Sequence, residues 1–359
     1  MKVLLINNQF KIGGAARVAA VMCNEFHDRG VDIRIITDSL CTPVLYELNP
    51  AIRLYPSITL KKRKYQKLMK FIHIVKNIRN YIKDSKPDVI IAIQADMYLR
   101  TLIATIGLKV PIIVADHTTV TRKFDPVTNY TRSHLYKYAA GLSILTEKDK
   151  KLLGDKFPRK EVIYNPLSFD IFEGVFERRK NILCAGRLDA WRVKGIDIII
   201  DIWSEIAASY PDWMLELAGD GDESSISLIN QMIENKGLTG RVKLLGLVNN
   251  MQELYKNTSI FALPSRVEGF PMVLMEAMSQ GCASVAFRIQ GSTDEMVEDG
   301  AGFVVDDGDK DTFKKQLTAL IENDSIREQM HTKAVDSVRR FSKDVFITHW
   351  LDYINKTIN

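Results

Sequence analysis

Two glutamates, Glu268 and Glu276, stand eight positions apart in the stretch PSRVEGFPMVLMEAMSQG, residues 264–281. The first lies in a turn close to Pro271, and the second lies within an apolar run that ends at Gly281. Proline suits the first turn of a helix, because its missing N–H would be unpaired there, and glycine often follows the last helical residue. The pattern therefore predicts a strand and a turn, followed by a helix over MVLMEAMSQ.

The start of that helix is a predicted anion site. Helix N-termini offer unpaired N–H donors and partial positive charge to phosphate oxygens, and Gly269 lets the backbone approach a ligand. Glu268 would face the reacting end of such a ligand, and Glu276 could accept hydrogen bonds from a ribose diol. In the alternative interpretation, Glu268 is an ordinary polar residue of the turn and Glu276 lies on the surface of the helix. The apolar neighbours of Glu276 leave little polar face, however, so its carboxylate needs a partner.

A second candidate element is CAGRLDAWRVKGIDIII, residues 184–200. A predicted strand ends there at Gly186, and Arg187 and Lys194 flank the loop that follows. Two cations at the carboxyl end of a strand suit a diphosphate. The alternative is that Arg187 and Lys194 are solvated charges of a loop. Arg192 could also compete for the role of diphosphate ligand.

A glycine turn, KIGGAARVA at residues 11–19, follows the first predicted strand and opens a helix. Gly13 and Gly14 would let backbone N–H groups approach an anion. A tight strand-to-helix turn is the alternative, because the third glycine of a dinucleotide fingerprint and the GK[ST] of a Walker A loop are both missing.

His117 is a third candidate, because it follows the predicted strand PIIVAD and precedes a threonine-rich loop. Ligands of parallel sheets bind at the carboxyl ends of strands. A satisfied structural histidine is the alternative.

Metal binding is not predicted. The string Asp220-Gly221-Asp222 could chelate Mg²⁺ or form a loop near a nucleotide. DDGDKD at residues 306–311 resembles a calcium loop, but Thr318 stands where the loop needs its glutamate. We interpret it as a solvated loop.

The elements that must position these residues alternate between β-rich runs and helical patterns, which is typical of parallel sheets covered by helices on both faces. Predicted strands are VLLIN (3–7), DIRIIT (32–37), VIIAI (89–93), PIIVAD (111–116), LSILT (142–146), NILCAG (181–186), WMLELAG (213–219), VKLLG (242–246), SIFALP (259–264) and ASVAF (283–287). We predict two doubly wound α/β domains that face each other across a cleft, 1–168 and 169–341. A C-terminal helix within 342–359 is expected to pack back on the first domain.

The composition is that of a globular protein, with 359 residues, 46% hydrophobic and 26% charged. No apolar run approaches the ~20 residues that span a bilayer, and the four scattered cysteines indicate reduced thiols in the cytoplasm. Residues 1–170 contain 28 Lys and Arg against 15 Asp and Glu, whereas residues 171–359 contain 21 against 29. We expect the two halves to meet different partners.

Several of these motifs together resemble a known family. EGFPMVLME at 268–276 is similar to the E-x7-E motif of retaining glycosyltransferases of family 4, which have the two-domain GT-B fold. Gly13-Gly14, VADHTT, LTEKDK, VIYNP, GRLDAWRVKG, LAGDGDE, LLGLV and EDGAGFVV also resemble family motifs in family order. The resemblance therefore covers nearly the whole chain.

The resemblance implies roles for individual residues. The first domain would bind the acceptor and the second the nucleotide-sugar donor. Arg187 and Lys194 would hold the donor diphosphate, Glu276 the ribose and Glu268 the sugar hydroxyls, while His117 would lie beside the sugar. The implied donor contacts also include Gly13, Gly14, Gly246, Val248, Gly269, Phe270, Pro271, Met272 and Val273. The resemblance implies no cofactor and no metal, and it favours UDP.

The implied reaction transfers a sugar to a hydroxyl with retention of configuration. No residue is an obvious nucleophile for a double displacement. On the family's usual account the acceptor attacks from the face of the leaving group, and the departing phosphate takes its proton. The protein would then supply orientation and electrostatic stabilisation.

A basic stretch, residues 61–86, carries ten Lys or Arg and one acid, Asp84. Leu68, Phe71, Val75, Ile78 and Ile82 recur in it at helical spacing. A core-facing helix with a solvated face is one interpretation. Attraction to an anionic membrane surface is the other, which suits a saccharide or lipid-linked glycan acceptor at the inner face of the cytoplasmic membrane. Nucleic acid is not expected as a partner. A nucleotide-sugar epimerase of the same fold and a non-catalytic nucleotide-sugar binder remain alternative functions.

Overall fold

The structure is a computed structural model that describes residues 1–8, 10, 13–38, 46–57, 67–157, 159–174, 178–289 and 292–358. The chain forms two compact units. Unit 1 comprises Met1–Ser168 and Phe341–Asn359, and unit 2 comprises Phe169–Arg340. Three of the predicted features lie wholly or partly outside the described residues: Cys41, the first part of the basic stretch (61–66) and the first two residues of the glycine turn (11–12).

Unit 1 is built on a parallel sheet whose described strands follow the order β3-β2-β1-β4-β5-β6-β7. The strands are β1 (Lys2–Ile6), β2 (Asp32–Thr37), β3 (Arg53–Pro56), β4 (Val89–Ile93), β5 (Ile112–Ala115), β6 (Gly141–Ile144) and β7 (Lys160–Val162). The helices are α1 (Gly14–Asp28), α2 (Lys67–Ser85), α3 (Gln94–Ala104), α4 (Pro126–Tyr130), which continues into a π-helical turn (Thr131–Leu135), and α5 (Glu147–Leu153). Strands β1 and β4 are buried along nearly their whole length, as the continuous apolar runs predict.

Unit 2 repeats this plan with the described strand order β10-β9-β8-β11-β12-β13. Its strands are β8 (Arg179–Ala185), β9 (Met214–Ala218), β10 (Val242–Gly246), β11 (Thr258–Leu263), β12 (Ala283–Phe287) and β13 (Phe303–Val305). Its helices are α6 (Ile196–Ile206), α7 (Glu223–Asn235), α8 (Met251–Lys256), α9 (Met272–Ser279), α10 (Ser292–Met296), α11 (Lys310–Glu322) and α12 (Asp324–Val338). All recorded strand pairs are parallel, so the prediction of two doubly wound α/β units is confirmed.

The last helix, α13 (Lys343–Ile358), belongs to unit 1 and packs against α1. Trp350 and Ile354 are buried, and the Tyr353 hydroxyl donates to the carbonyl of Arg159, with an O···O distance of 2.5 Å. Gly141 lies beneath that ring, where a Cβ atom would be 2.3 Å from the hydroxyl oxygen. The apolar face of the helix therefore forms part of the core of unit 1.

The helix α2 differs in part from its predicted packing. Ile78 and Ile82 are buried, as expected of a core-facing stripe, and Ile74 joins them. Leu68, predicted on the same stripe, is 68% exposed. The stripe reaches the sheet only over the later turns of the helix, so its first turns leave apolar side chains in solvent.

Candidate functional site

The strand order of unit 2 brings the predicted site residues together. The chain winds from β8 outward to β9 and β10, and then returns to continue from β11 on the other side of β8. The neighbouring strands β8 and β11 therefore bound a topological switch point, where open α/β sheets bind ligands at the carboxyl ends of the strands. Arg187 follows β8, and Glu268 follows β11.

An ion pair links these two strand ends. Lys194 Nζ lies 2.7 Å from Glu268 Oε1, and the two side chains are 22% and 12% exposed. Close packing of the backbone supports this pair: Gly195 has a φ of +68°, and a Cβ atom on it would lie 1.9 Å from the carbonyl oxygen of Pro264. Only glycine fits there, so the Lys194 loop lies directly against the turn that carries Glu268.

Arg187 differs from Lys194 in its exposure. Its side chain is 61% exposed, and its nearest recorded carboxylate is Asp189, with an N···O distance of 3.6 Å. Arg192, the possible competitor, stacks its guanidinium on the ring of Trp191 at 4.7 Å. Arg187 therefore presents its charge to solvent at the end of β8, where it can meet an anion.

The helix α9 spans Met272–Ser279, and Gly281 follows it with a φ of +75°. Pro271 occupies the N-cap position rather than the first turn, because its ψ of 84° is not helical. Its carbonyl accepts the N–H groups of Leu274 and Met275. The helix itself cannot satisfy the N–H groups of Met272 and Val273, so this end has donors that could meet an anion. Gly269 and Val273 are half-buried, whereas Phe270 and Met272 are buried.

Glu276 is 1% exposed, in the middle of α9. The Tyr255 hydroxyl donates to its Oε2 atom, with an O···O distance of 3.3 Å. The expectation that this carboxylate needs a partner is thus confirmed, and the surface alternative is wrong. The sequence pattern did not identify Tyr255, which lies on α8 and is itself fully buried.

The strand ends beside β8 are lined by glycines. Gly246 ends β10, and its carbonyl accepts the N–H of Gly219 at 2.9 Å. Val248 is half-buried just beyond it. A Cβ atom on Gly219 would lie 1.8 Å from the carbonyl oxygen of Gly186, so these loops pack backbone against backbone.

The Asp220-Gly221-Asp222 string forms a helix cap. Asp222 is the N-cap of α7, and its Oδ1 atom accepts the N–H of Ser225 at 2.7 Å. Among the described residues, no group of three or more His, Cys, Asp or Glu could hold a metal ion.

In unit 1, Gly13 is the N-cap of α1, with a φ of +149°, and Gly14 begins the helix. A Cβ atom on Gly13 would meet nothing within 4 Å. The Tyr46 hydroxyl accepts the Gly13 N–H at 3.0 Å, and Arg17 lies over the Tyr46 ring. Tyr46 is a further residue that the sequence pattern did not identify.

His117 follows β5, and its Nδ1 atom lies 3.1 Å from Oδ1 of Asn165. Because that oxygen accepts, Nδ1 carries the proton and the buried Nε2 presents a lone pair; Nε2 has no partner among the described residues. Burial lowers the pKa of His117, although the Asn165 contact and the nearby Asp116 act in the opposite direction. The ring is thus held neutral in one orientation.

The sequence pattern also did not identify two carboxyl groups in unit 1. Asp38 follows β2, and Asp96 lies in the first turn of α3, directly after β4. Burial raises the pKa of both groups. Their strands flank β1 in the sheet. No spacing signal marks them, because each is a single acid at a strand end.

Two family models match the chain. Residues 12–170 match the model described as Glycosyltransferase Family 4, and residues 179–323 match the model described as Glycosyl transferases group 1. The matches correspond closely to units 1 and 2.

Bacterial glycosyltransferases are among the similar proteins. The amylovoran biosynthesis glycosyltransferase AmsD of Erwinia amylovora is 26% identical, over 98% of this chain and 99% of its own. The Campylobacter jejuni GalNAc-α-(1→4)-GalNAc-α-(1→3)-diNAcBac-PP-undecaprenol α-1,4-N-acetyl-D-galactosaminyltransferase is 27% identical, over 79% of this chain and 78% of its own. The solved structure of Anabaena HepE in complex with UDP and glucose has a TM-score of 0.82 at 20% identity, over 99% of this chain and 100% of its own.

Proposed function

Because this chain is a glycosyltransferase of the family 4 type with the GT-B fold, we propose that it moves a sugar from a UDP-hexose or UDP-N-acetylhexosamine to a saccharide or lipid-linked glycan. We further propose that it retains the anomeric configuration. The observation that carries the proposal is the Lys194–Glu268 pair at the switch point of unit 2, where Arg187 follows β8.

The donor diphosphate would bind to Arg187, Lys194 and the N-terminus of α9. These groups combine two cations with N–H donors that have no intrahelical acceptor, and such charge-assisted contacts are strong. They offset the charge that develops on the leaving diphosphate, so the proposal requires no metal ion.

The two glutamates would bind opposite ends of the donor. Glu276 is buried and accepts a hydrogen bond from Tyr255, and its carboxylate would accept hydrogen bonds from the ribose hydroxyls. Glu268, fixed by Lys194, would accept hydrogen bonds from sugar hydroxyls. The base would lie near Gly246 and Val248, where β10 ends.

In the proposed mechanism the acceptor hydroxyl attacks the anomeric carbon on the face that the diphosphate leaves. The bond from the anomeric carbon to the phosphate oxygen breaks, and that oxygen takes the proton of the acceptor. Glu268 is engaged with Lys194 and does not act as a nucleophile. The protein contributes by orienting the substrates and stabilising the leaving group.

The acceptor would bind to unit 1. The names of the two bacterial relatives, one in amylovoran biosynthesis and one acting on a PP-undecaprenol-linked glycan, support a role in cell-surface glycan assembly. Among the described residues, no helix is long and apolar enough to cross a membrane. We propose that α2 attaches the enzyme peripherally to the anionic inner face of the cytoplasmic membrane.

The test is incubation of the purified protein with UDP-sugars, with and without a glycolipid acceptor, in the presence of EDTA. Free UDP together with a glycosylated product whose anomeric proton shows the donor's configuration supports the proposal. An epimerised sugar without acceptor would indicate the epimerase, and binding without turnover would indicate a non-catalytic protein.

A further inference from the structure

A cavity of about 350 Å³ lies in unit 1, on the face of the sheet that Leu142 and Ile144 present. These residues are two apart on β6 and therefore share a face. Phe157, after α5, and Leu153, at the end of α5, add to the apolar part of the lining, together with Val120 and Tyr136. The volume is within the range of small-molecule sites.

Beside the neutral side chains of Thr121, Asn129 and Ser133, cationic side chains form much of the polar part of this lining. They are Arg122, Lys123, Arg132 and Lys156, against one carboxylate, Asp116. Asp116 is already neutralised, because Arg132 Nε lies 2.9 Å from its Oδ2 atom.

That carboxylate is also saturated with hydrogen bonds. The Tyr136 hydroxyl donates to Oδ2 at 3.0 Å, and the Thr118 hydroxyl donates to Oδ1 at 2.7 Å. Asp116 therefore leaves three cations of the lining uncompensated.

These three cations, Arg122, Lys123 and Lys156, are exposed, and two of them lie over aromatic rings. Arg122 lies over the ring of Phe124 at 5.1 Å, and Lys156 lies over the ring of Phe157 at 5.3 Å. No carboxylate forms an ion pair with Arg122, Lys123 or Lys156 within the described part of the chain. Their charge is thus available to an anion at the mouth of an apolar cavity.

We propose that this cavity binds a phosphorylated amphiphile, with its phosphate or diphosphate on Arg122, Lys123 and Lys156 and the first part of its apolar chain against Leu153 and Phe157. The cationic rim and the apolar floor together favour a phosphorylated amphiphile. A free anion would bury no apolar surface against the floor, and a neutral lipid would leave the cations unpaired. The site belongs to unit 1 alone and does not require the transfer reaction.

Isothermal titration with geranyl diphosphate, inorganic pyrophosphate and geraniol would test the proposal, at about 0.15 M ionic strength, where charges more than ~8 Å apart are screened. Saturating UDP would occupy the proposed donor site in unit 2. We expect geranyl diphosphate to bind at least tenfold more tightly than either other probe. If inorganic pyrophosphate binds as tightly as geranyl diphosphate, the cavity is only an anion site and the proposal of an amphiphile is wrong.

The variant Arg122→Gln/Lys123→Gln/Lys156→Gln should weaken geranyl diphosphate binding at least tenfold. Its folding should be unaffected, because these side chains are exposed and the hydrogen bond from Arg132 to residue 122 uses the backbone carbonyl. The charge-matched control is Lys2→Gln/Arg53→Gln/Lys109→Gln, three exposed cations of the same unit outside the cavity.

Leu153→Ser should reduce the preference for geranyl diphosphate over pyrophosphate. Unchanged binding in the cavity variant, or equal loss in the control, would overturn the site. Loss of binding in Arg187→Ala instead would show that the probe occupies the donor site.

Discussion

Lys194 Nζ and Glu268 Oε1 lie 2.7 Å apart, although 74 positions separate the two residues in the chain. Their contact joins the loop after β8 to the turn after β11, the two strands that bound the switch point of unit 2. A cation for phosphate and an acceptor for sugar hydroxyls are thereby held against each other before any ligand binds. Such preorganisation costs no rearrangement during the reaction.

Lys194→Ala should lower kcat/KM by roughly 10²–10³-fold, because it removes a charge from the leaving group. It should also cost about 1–3 kcal/mol of stability, since Glu268 is left largely buried without its cation. Steady-state kinetics and urea unfolding measure the two effects. The control is Arg179→Ala, which breaks the 2.8 Å Arg179–Glu216 pair at the opposite end of β8 and should reduce stability without changing kcat/KM. Full turnover in Lys194→Ala would contradict the site.

Arg187→Ala should lower kcat with almost no loss of stability, because the side chain is 61% exposed and has one distant carboxylate neighbour. Lys180 is a matched control, since it lies on β8, the strand that Arg187 follows, and is also 61% exposed. Lys180→Ala should retain wild-type kinetics and thermal stability. If the two variants behave alike in turnover assays, Arg187 does not touch the diphosphate.

Glu276→Gln should raise KM for the UDP-sugar more than it lowers kcat, because the ribose lies away from the bond that breaks. Tyr255→Phe should cost about 1 kcal/mol of stability through the lost hydrogen bond to Glu276. Thermal shifts with and without UDP separate the two effects, because a ligand stabilises only the state that it binds. A UDP-induced shift in Glu276→Gln equal to that of the wild type would exclude Glu276 as a ribose ligand.

His117 should destabilise the protein on acidification. Burial holds its folded-state pKa below the ordinary value, so its contribution to stability is complete above the unfolded pKa of about 6.5 and is lost as the pH falls through the folded pKa. The free energy of unfolding of His117→Gln should therefore fall less than that of the wild type over this window. His134→Gln, at an exposed histidine, should follow the wild type. A titration of the His117 ring by NMR with a pKa above 6.5 would refute the assignment.

The exposed turns of α2 should mediate binding to anionic membranes. Leu68, Met69 and Ile72 are 68%, 53% and 51% exposed, and burying them in the lipid surface is favourable. Leu68→Glu/Ile72→Glu should lower co-sedimentation with phosphatidylglycerol vesicles at low salt. Ile106→Glu, at a position that is also 68% exposed, is the control in the same unit. If the α2 variant sediments with the vesicles as much as the wild type does, α2 does not mediate membrane binding.

Local patterns predicted most of the elements. The strands 32–37, 89–93, 242–246 and 283–287 have the bounds that their apolar runs predict. The strands 89–93 and 283–287 are buried throughout, and a strand buried on both faces must be apolar along its length. The strands β3, β7 and β13 were not predicted. They have only three or four residues and are partly exposed, so they carry no such run.

The sequence by itself determined which residue types could do the chemistry: the helix α9 with its two glutamates, the cations around β8 and the glycine turn after β1. Only the tertiary structure decided which of them meet. The pairing of Lys194 with Glu268, of Glu276 with Tyr255 and of His117 with Asn165 depends on the order of strands in the sheets. That order is set by long-range packing, and no local spacing encodes it.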